Sequence, residues 1–79
     1  MKIPRNVSGK EVVRMMTTKL AYKIVHQRGS HIALETEEPS HHRIAIPNHK
    51  SIRVGTLNGI LKSIASHKGM NRDSLIGLF

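Results

Sequence analysis

The chain has no cysteine. That excludes a disulfide framework and any thiolate metal centre, and it fits a reducing cytoplasm. Tryptophan is missing too, and Tyr22 and Phe79 are the only aromatics, so the core has to be aliphatic. Acid is scarce: five Asp and Glu stand against thirteen Lys and Arg, a formal net charge of +8. So small a surface with that excess is positive and favours polyanions: nucleic acid, an anionic membrane or an acidic protein. No apolar stretch approaches the roughly 18 residues of a spanning helix, and Met1-Lys2-Ile3-Pro4-Arg5 lacks the apolar middle of a signal peptide. A soluble cytoplasmic protein is expected. Its 79 residues make one domain, 1–79, that buries only about 60–65% of its unfolded surface.

What is present is well punctuated. Ser8-Gly9-Lys10-Glu11 has the spacing of a capping box, and Val12, Met16 and Leu20, widened by Val13, form one helical stripe. A first helix is predicted from Gly9 to Lys19. Tyr22–Gln27 and Ile32–Thr36 read as strands, because both are rich in β-branched residues and alternate in polarity. Burying Ile24, Ile32 and Leu34 together needs an odd loop length, which predicts a three-residue loop, Arg28-Gly29-Ser30, with Gln27 opposite His31. By the same parity His26 faces inward with Ile24, while Lys23, Gln27 and His31 face away from the core.

Glu37-Glu38-Pro39-Ser40 is a turn. Arg43–Ile46 is a third strand, with Ile44 and Ile46 inward and Arg43 outward, closed by Pro47. The clearest periodicity follows: Leu57, Ile60, Leu61, Ile64 and Ala65 form one buried stripe. Thr56 suits its N-cap and Gly69 its C′ position. Asn71 caps a short last helix that tucks Leu75, Leu78 and Phe79 inward. The order gives an α+β fold: a three-stranded antiparallel sheet with helices on one face and Lys23, Gln27, His31 and Arg43 on the other.

Four segments in this order carry a family resemblance: the Ser8-Gly9-Lys10-Glu11 helix start, Gly29-Ser30-His31, Ile46-Pro47-Asn48-His49, and Gly55-Thr56-Leu57 leading into Ile60-Leu61. Together they resemble a HicA-type toxin, the mRNA-cleaving partner of a bacterial toxin–antitoxin pair. The resemblance implies an α-β-β-β-α double-stranded-RNA-binding-domain-like fold, RNA cleavage by the hairpin histidine, here His31, and inhibition by a HicB-type antitoxin.

The chemistry is coherent with that. A neutral imidazole exchanges a proton near neutral pH, and RNA supplies its own nucleophile in the 2′-hydroxyl. Neither metal nor cofactor is required if His31 moves that proton and cationic donors hold the phosphate. The expected RNA-binding set is Lys23, Gln27, Arg28, Gly29, Ser30, Arg43, His49 and Lys50. His49 is also the candidate for a second acid–base group. His41-His42 argues against a metal, because neighbouring strand residues point to opposite faces and no carboxylate sits at ligand spacing. The expected partners are single-stranded mRNA and the antitoxin, with the free chain a monomer. The competing reading is a non-catalytic RNA-binding module.

Overall fold

The computed structural model describes residues 3–79. Met1 and Lys2, the start of the segment read above for a signal peptide, lie outside the described residues. The elements run α1 (Gly9–Lys19), β1 (Lys23–Arg28), β2 (His31–Thr36), β3 (His42–Pro47), α2 (Val54–Lys68) and α3 (Arg72–Ile76). The sheet is antiparallel in the order β1-β2-β3. This is the expected α+β arrangement, with the short C-terminal helix in place. No helix among the described residues is long and apolar enough to cross a membrane.

Local chemistry sets the boundaries. At α1 the Ser8 side chain accepts from the Glu11 N–H at 3.1 Å, while Glu11 reaches back to the Ser8 N–H. At α3 the Asn71 side chain accepts from the Ser74 N–H at 2.7 Å. Gly69 ends α2 at φ +66°, a left-handed conformation that costs a Cβ-bearing residue about 1–2 kcal/mol. The start of α2 differs from the sequence reading. Arg53, not Thr56, is its N-cap, and it makes no side-chain capping bond. The first turn is exposed, so water can satisfy its free N–H groups.

One aliphatic core joins the helices to one sheet face. Val12 and Met16 of α1, Leu57, Leu61 and Ile64 of α2, and Leu75 of α3 are fully buried with Leu34 and Ile46. Ile32 joins them and Ile44 packs against the cluster in part.

The hairpin register corrects the sequence reading. The odd residue exists, but it is Val25 inside β1, not a third loop residue. Before this bulge Ile24 opposes Leu34, as parity requires; after it His26 opposes Ala33, Gln27 opposes Ile32 and Arg28 opposes His31. The loop is therefore Gly29-Ser30, with Gly29 at φ +57°. Two placements change as a result. Gln27 shares the face of Ile32, not that of His31, and His26 lies exposed on the open face. Ile24, expected in the core, is 53% exposed because β1 is an edge strand whose whole length stays open.

Candidate nucleic-acid interface

The register sorts the open face into two ends. At one, Arg28 opposes His31 and His31 opposes Pro47; at the other, Lys23 opposes Glu35 and Glu35 opposes Arg43. His31 and Glu35 are four residues apart on β2, roughly 13 Å at 3.3 Å per residue. Lys23 and Arg43 therefore do not surround His31.

The Glu35 end is electrostatically occupied. Arg43 donates to Glu35 at 3.0 Å, and His41 Nδ1 lies 2.9 Å from Glu37 and 3.9 Å from Glu35. The bond to Glu37, then its charge, raises His41 above its ordinary value, and Glu35 adds to this. Carboxylates thus do reach ligand distance of this histidine, contrary to the spacing argument: Glu35, Glu37 and His41 bring ligand atoms within 4.8 Å of one another. The β2–β3 connection folds them together. With Arg43 already on Glu35, the group is an exposed ion-pair network.

The His31 end is built differently. Its nearest acids in sequence, Glu35, Glu37 and Glu38, belong to the other end, and Glu11 is held in the capping box. Arg28, Lys50 and Arg53 are exposed, and among the described residues none of them makes an ion pair. His31 is exposed and lines a cavity of about 390 Å³ with His49, Arg53, Thr56, Pro47 and Ile52 among others. A second, smaller cavity of about 340 Å³ shares His49 and adds Lys10 and Lys50.

Backbone bonds hold this end in place. The Asn48 N–H donates to the Ser30 carbonyl at 2.6 Å, and the Gly9 N–H donates to the His49 carbonyl at 2.9 Å. Gly9 can come that close because it has no side chain: a Cβ there would collide with the Pro47 carbonyl and the Asn48 Cα. The helix start, hairpin and post-β3 segment of the sequence analysis are thus one cluster in space.

A family model described as the HicA toxin of bacterial toxin-antitoxin matches residues 9–65 of the 79. The chain belongs to the HicA toxin family. No curated protein and no solved structure matched it. In this HicA-family chain the expected site residues His31, Arg28, Gly29, Ser30, His49 and Lys50 fall at one end of the molecule. Lys23 and Arg43 fall at the other, and Gln27 on the opposite face. Sequence reasoning left out Arg53 and Thr56 as site residues. Arg53 is visible in the sequence as a basic residue before α2, whereas Thr56 has there the character of a helix cap.

A second histidine cluster lies apart from this end. His42 on β3 shares a 2.7 Å hydrogen bond with the Tyr22 hydroxyl and a 3.3 Å one with Ser63, and its ring stacks on His67 at 4.4 Å. Burial pushes His42 below its ordinary value, and the neighbouring His67, His41 and Lys68 charges push the same way. Burial also raises Tyr22. His67 donates to the Ser40 carbonyl at 2.9 Å, and Lys68 to the Glu38 carbonyl at 2.6 Å. These bonds tie the end of α2 to the β2–β3 connection, a structural use.

Proposed function

We propose that this toxin is a metal-independent endoribonuclease that cleaves mRNA with His31 as its general acid or base, and that a HicB-type antitoxin inhibits it. The single observation that carries the reading is an exposed imidazole on a hydrogen-bonded hairpin, opening a cavity whose charged lining is cationic, in a chain of this family. The phosphate is held by Arg28, Arg53 and Lys50, with Lys10 extending the basic path; Lys23 and Arg43 are too far along the sheet to contribute.

The reaction needs only what RNA and this surface offer. The 2′-oxygen loses its proton and attacks the adjacent phosphorus, the bond from phosphorus to the 5′-oxygen breaks, and that oxygen takes up a proton. The products are a 2′,3′-cyclic phosphate and a 5′-hydroxyl, with no water consumed. Proton transfer by one placed group supplies about 10²–10⁴-fold, and cations fixed at the phosphorane add electrostatic stabilisation.

Single-stranded RNA fits better than duplex. A duplex is read across successive grooves by widely spaced contacts, whereas the cations assigned to the phosphate here, Arg28, Lys50 and Arg53 with Lys10, lie near one another around His31 and His49. An acidic partner covering that end would mask both histidine and cations. The test incubates purified chain with single-stranded RNA in EDTA. Cut RNA bearing cyclic phosphate supports the reading; RNA that is shifted but intact assigns a non-catalytic RNA-binding module instead.

A further inference from the structure

Two imidazoles line one cavity. His31 and His49 lie 18 positions apart in the sequence, yet both border the 390 Å³ space that Arg53 and Thr56 also line. That volume lies within the range of small-ligand pockets, about 300–1,000 Å³. Both histidines are held from the backbone. The residue preceding each one is bonded to the other's predecessor: Asn48 N–H to Ser30 carbonyl, 2.6 Å. His49 is fixed again through its own carbonyl to Gly9, and Ile52 is tied by its N–H to the Val7 carbonyl at 2.8 Å.

Neither side chain has a structural task that explains it. Both are exposed, and among the described residues neither ring makes a hydrogen bond. The backbone does the holding and leaves the rings free at the mouth of a basic cavity. An imidazole with no internal partner, bordering the same cavity as a second one, is placed to exchange protons with a ligand there.

Resting on the reading of the chain as a ribonuclease, we infer that His49 is the second proton-transfer residue, acting with His31 on one scissile phosphate, and that Arg53 is the cation on that phosphate. Cleavage needs one proton removed from the 2′-hydroxyl and one delivered to the departing 5′-oxygen. Two histidines do this when one is neutral and the other protonated, and each turnover leaves them exchanged. The rate then falls on both sides of an optimum, because only the singly protonated pair is competent. A lone histidine gives one limb.

The experiment measures cleavage against pH with an oligonucleotide containing a single ribose, for the parent, His49→Ala, His49→Gln and Arg53→Ala. Binding to the all-deoxy oligonucleotide and a thermal melt are recorded for each. The expected result is a two-limbed parent profile. Both His49 variants should lose one limb and about 10²–10⁴-fold in rate, with melting and deoxy binding unchanged. Arg53→Ala should weaken deoxy binding and keep both limbs. A His49→Gln chain that melts like the parent and keeps its rate and profile overturns the pair. So does one whose loss is matched by lost deoxy binding, which would make His49 a contact only. If the parent itself binds the oligonucleotide but leaves it intact, the failure is instead that of the ribonuclease reading.

Discussion

At the scale of single residues, charge matters less than what each charge already faces. Arg43 and Lys23 look like RNA contacts in the sequence, but Arg43 is paired with Glu35 and Lys23 opposes the same carboxylate across the ladder. Arg43→Ala and Lys23→Ala should each leave RNA affinity near the parent's, while Lys50→Ala and Arg53→Ala weaken it and flatten its salt dependence by about one phosphate contact each. Filter binding across a salt series measures both. A steep loss with Arg43→Ala would mean that RNA runs the length of the open face. Gly9 is a positioning residue of another kind. Gly9→Ala should lower catalysis out of proportion to its place in a helix, since the added methyl drives the Pro47–Asn48 segment, and His49 with it, out of place. Comparison with Thr18→Gly, an exposed position on the last turn of the same helix, separates this from a general effect on α1.

The elements were largely legible because their signals are local. The Ser8–Glu11 box, the Gly69 stop and the Asn71 cap are each decided within a few residues, and each appears as read. The hairpin was harder for a physical reason. Parity correctly required one unpaired residue between Ile24 and Leu34, but a bulge and a longer loop satisfy it equally, and only the three-dimensional fold chooses Val25. That choice exchanges the faces of Gln27 and His26 and sets Arg28 beside His31. The gathering of residues 9, 30, 48 and 49 depends on long-range backbone bonds that no local pattern announces. Two backbone positions test the elements. Gly29→Ala, at φ +57°, should cost about 1–2 kcal/mol and disturb the hairpin that holds His31. Ala21, at φ +60° just after α1, already bears such a strain, so Ala21→Gly should stabilise by up to about 1 kcal/mol. Urea unfolding reads both; a destabilised Ala21→Gly would contradict the assignment of strain there.

Over the whole molecule, the two ends of the open face and the His42 cluster respond to solution conditions differently. His42 resists protonation in the fold, so the unfolded chain binds that proton more readily. Stability should therefore fall as pH drops through the unfolded value near 6.5, and level off below the lowered folded value. His41 has the opposite sign: its raised value contributes stability fully below that pH, lost as pH rises through the folded value, and small because the group is exposed. Urea midpoints at pH 7.5 and 5.5 should show the parent weaker at the lower pH, and His42→Gln with that loss removed. An unchanged acid sensitivity in His42→Gln would place its origin elsewhere. The net charge of +8 acts at the same scale: with RNA as the proposed substrate, association should weaken as salt rises.

The central claim rests on one exposed ring, and one comparison tests it: RNA cleavage by the parent and by His31→Ala, both purified, in EDTA, with thermal melts alongside. The account requires equal melting and a rate lower by about 10²–10⁴-fold in the variant. Equal rates would contradict it.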